Sequence, residues 1–246
     1  MDGNRTTRRE WLLLCAAAGA SGVLVRTADA AERPVPAVSV VDHLLLGVSD
    51  LDVGVAWFEK ATGVKAVFGG THPGMGTRNA LVSLGGKRYL EILAPDPAQT
   101  AFNFRIDVRE LKEPRLVNWA AAATDIEAVA KKARKTGYEL FGPQPGSRER
   151  PDGRTLRWKL LGVMHDLGAD GIDPIPFFIE WAADAVHPSR ESPTGCELTS
   201  LEIEHPRSAA VKKTLAALGI AADVRKGKVA RLTATLSGPK GTVTLR

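Results

Sequence analysis

Two cysteines in 246 residues are too few for a disulfide-stapled scaffold. Gly at 24 and Pro at 15 fall well below a collagenous or disordered composition, and 44% of the residues are hydrophobic, enough to build a core. Long apolar runs are missing apart from one stretch near the N-terminus. A helix needs roughly 20 such residues to cross a bilayer, so an integral membrane protein is excluded. Charge of one sign is also scarce, with a formal net charge of +5. The denser basic stretches, KKARK at 131–135 and SRERPDGR at 147–154, lack the interleaved aromatics of a nucleic-acid platform. No nucleic-acid partner is expected.

The N-terminal stretch reads RTTRREW at 5–11, then LLLCAAAGASGVLV, then RTADAAERP. A basic start, a short run of apolar and small residues, and an A-x-A-like triplet at Ala28-Asp29-Ala30 describe an export signal rather than structure. Thr7-Arg8-Arg9-Glu10-Trp11-Leu12 resembles the twin-arginine export motif. Residues 1–30 are therefore assigned as the signal, with cleavage after Ala30 and a periplasmic destination. A short membrane anchor is the alternative, although the run is brief and rich in Ala and Gly. Removing 30 of 246 residues leaves 216, with Cys196 alone, so no intramolecular disulfide forms even in an oxidising compartment. Once the signal is gone, nothing points to a membrane partner.

What remains shows one grammar written three times. At 38–68 a β-rich run, Val38–Val48, precedes Asp50 as an N-cap. Leu51, Val55 and Phe58 then form a helical stripe that Gly63 closes. At 116–141 Asp125 is the matching cap, Ile126, Val129 and Ala133 the stripe, and Gly137 the stop. At 198–224 Pro206 opens a helix with Val211, Leu215 and Leu218 on one side, and Gly219 follows. Each copy runs on into strand-like segments, so the unit is βαβββ. The expected fold is α+β: modules 38–97 and 115–187 pair into a concave mixed sheet with helices outside. Residues 98–114 serve as the crossover, and 196–246 form a shorter third copy packed on the core. Segments 142–154 and 164–176, rich in Gly, Pro and Asp, are expected as rim loops.

Three polar residues stand inside apolar strands. His43 lies in VVDHLLLGV, seven residues before Asp50; Glu91 lies between Leu90 and Ile92, and Glu180 between Ile179 and Trp181. A carboxylate among bulky apolar neighbours costs energy unless it is paired or binds a metal. Outward alternation of each Glu, and a hydrogen-bonded core role for His43, are the bland alternatives. Both Glu occupy the last strand of their repeat, so with His43 they would converge across the concave sheet. A mixed imidazole and carboxylate set suits Mn²⁺, Fe²⁺, Ni²⁺ or Zn²⁺. The GGTHPGMG stretch lacks a phosphate-loop ending and reads as a turn, with His72 a rim residue. His165 is a candidate extra ligand, while His187 and His205, before prolines, read as structural.

VDHLLLGVSDLDVGVAWFEKATGV, with GTHPGMGTRNALVSLGGKRYLEILAPDP, resembles the glyoxalase-like branch of the vicinal oxygen chelate superfamily, the glyoxalase/bleomycin resistance/dioxygenase fold. The resemblance implies paired βαβββ modules holding a divalent metal on ligands from the first and last strands. By position these are His43, Glu91 and Glu180. The fourth place, seven residues before Asp125, falls on Asn118, a poor ligand. It further implies a metal-dependent lyase, isomerase or dioxygenase acting on a small oxygenated molecule, with Glu180 as the proton-transferring group. Asn79, Arg78 and Asn118 would contact that substrate. A non-catalytic protein that binds or sequesters a small molecule in the same cup is the alternative. The residues do not specify an oligomeric state.

Overall fold

A computed structural model describes residues 34–149 and 153–246. The assigned signal, 1–30, lies outside the described residues. The chain enters through β1 (Val35–Pro36) and a one-turn α1 (Ala37–Val40). The first module follows as β2 (Val41–Gly47), α2 (Leu51–Thr62), β3 (Val67–His72), β4 (Thr77–Ser83) and β5 (Tyr89–Pro95). The second is β6 (Arg115–Ala122), α3 (Ile126–Lys135), β7 (Leu140–Glu149), β8 (Thr155–Val163) and β9 (Phe177–Trp181). The helices start where the caps put them. Asp50 Oδ1 accepts from Val53 N at 2.9 Å, and Asp125 Oδ1 accepts from Ala128 N at 2.9 Å. Gly63 ends α2 at φ 83°, a left-handed conformation that a side chain would strain.

The two modules make one eight-stranded sheet in the order β3-β4-β5-β2-β6-β9-β8-β7. Its seam is the antiparallel β2–β6 pair, flanked by parallel β2–β5 and β6–β9 pairs, so the halves are related by an approximate two-fold axis. The fold is the mixed α+β arrangement of paired βαβββ modules. Leu44, Leu46, Phe58, Ile92, Trp119 and Ile126 form the core on the helix-covered face. Leu45, Leu93 and Val117 face the opposite side, where Ile106 and Val108 of the crossover cover them.

Segment 142–154 differs from expectation. Most of it is strand β7 rather than rim loop, and Pro145 pairs with Lys159 of β8. Proline is tolerated there because β7 is an edge strand, with one side free of ladder bonds.

After a 3-10 turn at Pro188–Arg190 come β10 (Glu197–His205), α4 (Ser208–Ala217), β11 (Ile220–Ala221), β12 (Asp223–Lys226), β13 (Arg231–Gly238) and β14 (Gly241–Leu245). This third copy keeps the order of elements but pairs its strands differently. Its sheet runs β12-β10-β13-β14, with β10 and β12 parallel across α4, whereas β2 lies beside the last strand of its module. Leu198, Ile203, Val211 and Leu232 join the same core as Leu44. Among the described residues, no helix is long and apolar enough to cross a membrane.

Candidate functional site

The site begins at a defect in the seam. Val41 pairs with Ala121 and His43 with Ala120, so Asp42 is an extra residue, a β-bulge. The bulge sets Asp42 and His43 side by side, with Asp42 Oδ1 2.7 Å from His43 Nδ1. The same slip recurs in β6, where Leu45 faces Asn118 and Leu46 faces Leu116. His43 and Asn118 are thus two-fold mates.

Glu91 faces Leu45 across the β2–β5 pair and Leu81 across the β4–β5 pair. It is buried, and its oxygens are approached from three sides. Asn79 Nδ2 donates to Oε1 at 2.6 Å, His72 Nε2 lies 3.5 Å from Oε1, and His43 Nε2 lies 3.6 Å from Oε2. Burial by itself would raise the Glu91 pKa. His72, His43, the Asn79 hydrogen bond and Arg148 reverse this and hold it below the usual carboxylate value. His72 sits at the end of β3, its Nδ1 2.8 Å from Thr77 Oγ1, and burial lowers its pKa.

Behind His43 a second layer fixes the ring. Asp42 Oδ2 accepts from Trp181 Nε1 at 3.0 Å and lies 3.1 Å from His187 Nε2. Burial would raise the Asp42 pKa, but the bonds to His187 and His43 bring it down to about 2. The Asp42 carboxylate at Nδ1 fixes the ring and turns Nε2 toward Glu91. The Tyr89 ring stacks on His43 at 4.5 Å, and burial pushes the Tyr89 hydroxyl well above its ordinary pKa, so it stays protonated.

The second module supplies an aromatic wall and one cation. In the β7–β8–β9 ladder Gly146 faces Trp158, which faces Trp181, while Arg148 faces Leu156. Registered neighbours share a face, and the Trp181 bond to Asp42 identifies it as the face of His43. The Phe177 ring meets His43 edge-on at 5.5 Å. From β7, Arg148 reaches the other edge of the sheet, donating through Nη1 to Gly69 O and, at 3.3 Å, to Asn79 Oδ1. The sheet therefore curls until its edge strands meet.

The predicted residues sort by face. His43, Glu91 and Asn79 come together. Glu180 does not: registered strands put Phe178 and Glu180 on the helix side, where Glu180 Oε2 accepts from Ile126 N at 2.6 Å at the start of α3. The two-fold mate of Glu91 is Phe177, which faces Ala120 as Glu91 faces Leu45. Assigning Glu180 as ligand and proton acceptor was therefore out of phase with the pleat. Arg78 alternates with Asn79 and so lies on the other face, with its Nε buried and unpartnered. Asn118 is on the right face, but its Oδ1 accepts from Trp119 N at 2.6 Å.

His165 is tied to Asp173, 3.2 Å away, and to Leu167 N, and burial first, then Arg105, bring its pKa down to about 4. His205 Nε2 lies 3.0 Å from Leu167 O. Sequence reasoning missed His72, Arg148 and the role of Asp42. His72 had a signal in the PGMG turn, which pairs it with Thr77 two residues from Asn79. Arg148 had none.

Among the described residues, no group of three or more His, Cys, Asp or Glu side chains forms a ready-made metal cage. The chemistry of the donors still fits a divalent ion. Two imidazoles with engaged Nδ1 atoms turn their Nε2 atoms toward one carboxylate, and His72 Nε2 also lies 3.3 Å from Asn79 Nδ2.

Residues 41–219 match the sequence profile described as glyoxalase-like domain. Comparison with curated proteins gives no match. A hypothetical protein from Staphylococcus aureus has a similar solved structure, with TM-score 0.61, 19% identity, and coverage of 78% of this chain and 87% of that one. Methylmalonyl-CoA epimerase from Mycobacterium tuberculosis gives TM-score 0.42 at 22% identity, covering 60% of this chain and 91% of that one. A hypothetical protein from Bacillus halodurans gives TM-score 0.43 at 17% identity, covering 59% and 96%. The first of these supports the fold, and the profile spans well over half of the sequence: the chain belongs to the glyoxalase-like domain family.

Proposed function

We propose that the protein is a divalent-metal-dependent enzyme acting on a small oxygenated molecule held in the cup. The observation that carries this reading is the approach of two imidazole Nε2 atoms, on His43 and His72, to the two oxygens of one buried carboxylate, Glu91. These three residues would hold the ion. When bound, the ion supplies Lewis-acid polarisation of a substrate oxygen, with solvent or substrate filling the open positions. Asp42 and Thr77 fix the two imidazoles, Asn79 fixes Glu91 Oε1, and the aromatic wall limits water. Manganese, iron, nickel and zinc all suit this donor set.

A second reading, binding without chemistry, draws support from the two-fold mates of His43 and Glu91, Asn118 and Phe177. One is turned onto its own backbone and the other is apolar. Metal content decides between the two. Protein purified without chelator or affinity metal should hold close to one ion per chain. His43→Ala, His72→Ala and Glu91→Gln should lose it, and Glu180→Gln should keep it. An ion-free wild type, or an ion indifferent to His43 and Glu91, overturns the enzyme reading. We also propose that residues 1–30 direct export to the periplasm.

A further inference from the structure

Arg148 is nine-tenths buried; its hydrogen-bond partners among the described residues are a backbone carbonyl and an amide oxygen, both on Nη1, and the carboxylate that feels its charge, Glu91, is not hydrogen-bonded to it. A guanidinium carries five N–H donors in a planar fork, and burying that charge is costly unless it is matched. The chain makes deliberate room for it. Gly70, at φ 139°, lies where a Cβ would meet Arg148 Nη1 at 2.7 Å, and a Cβ on Gly69 would lie 2.4 Å from Asn79 Oδ1. The Gly69-Gly70 pair is thus a cradle for Arg148 and its amide partner. On the same face stand Trp158, Trp181 and Phe177, large aromatics only half-buried although they line the inside of the curl.

We propose that Arg148 and this wall form the binding subsite for a planar organic carboxylate, such as an aromatic or conjugated acid. The carboxylate pairs with the free part of the guanidinium fork, and the flat body packs on Trp158, Trp181 and Phe177. The inference rests on the reading of the cup as the ligand site and narrows its ligand to an acid. It also differs from the expectation for Arg78, which lies on the other face.

Benzoate and its neutral isostere benzamide test this by calorimetric titration of the full chain. Benzoate should bind wild type at least tenfold tighter than benzamide. Arg148→Gln should erase that preference, and Arg148→Lys should restore part of it. Gly70→Ala, which crowds the guanidinium without removing it, should also weaken benzoate. Equal binding of the two probes, no binding of either, or a preference that survives Arg148→Gln overturns the proposal. Metal content measured on the same samples separates the two readings. An ion-free protein that prefers benzoate defeats the metal assignment alone, and a metal-loaded protein without the preference defeats this one alone.

Discussion

Replacing Asp42 by asparagine probes the centre of the site. The carboxylate lies between His43 Nδ1 at 2.7 Å and His187 Nε2 at 3.1 Å, and also accepts from Trp181 Nε1. The drop from 3.8 in the unfolded chain to about 2 in the fold is worth about 2.5 kcal/mol of stability. Because the folded value is the lower one, this contribution is complete above about pH 4 and fades as the pH falls toward 2. An asparagine keeps the shape but turns an N–H toward a group that needs an acceptor, adding a mismatch of about 1–3 kcal/mol. Asp42→Asn should therefore cost about 3–5 kcal/mol near neutrality, lowering the melting temperature by roughly 10 °C for a domain of this size. Urea unfolding of both proteins from pH 7 to pH 2.5 measures the gap directly. It should narrow steadily below pH 4. A gap under 1 kcal/mol at pH 7, or one that stays constant into acid, would refute the reasoning.

Glu180→Ala should cost about 1 kcal/mol, because Ile126 N at the start of α3 loses its acceptor, while metal content stays at the wild-type level; thermal melts and elemental analysis check the two halves. Phe58→Ala, deep in the α2 interface, should cost about 3–5 kcal/mol by chemical denaturation without altering benzoate preference. Expressed in a bacterium that has the twin-arginine pathway, Arg8→Lys with Arg9→Lys should leave unprocessed chain in the cytoplasm, as seen by fractionation and mass. Export at the wild-type rate would remove the twin-arginine assignment.

Much of the architecture was readable because its signals are local. Asp50 and Asp125 cap helices through their own next turn, and Gly63 stops α2 by its own dihedral angle. Asn118 stands as far before Asp125 as His43 stands before Asp50, and the strand register makes the two residues two-fold mates. Glu180 and Arg78 fall on the wrong face for the same reason: an odd offset along a strand changes face, and Glu180 stands three residues beyond Phe177, the two-fold mate of Glu91, as Arg78 stands one before Asn79. Pro143 and Pro145 signalled a loop, but an edge strand accommodates proline at no cost to its neighbour.

The sequence by itself determined where the helices begin and end, since caps and stops act within a turn of chain, and it singled out His43 and Glu91, which the fold brings within 3.6 Å of each other. Tertiary structure alone decided the rest. Only the curl of the sheet carries Arg148 from one edge to Gly69 and Asn79 at the other, and only the packing after β9 places His187 against Asp42. Those contacts span 69 to 145 residues, and their geometry comes from strand twist and register summed over the whole sheet.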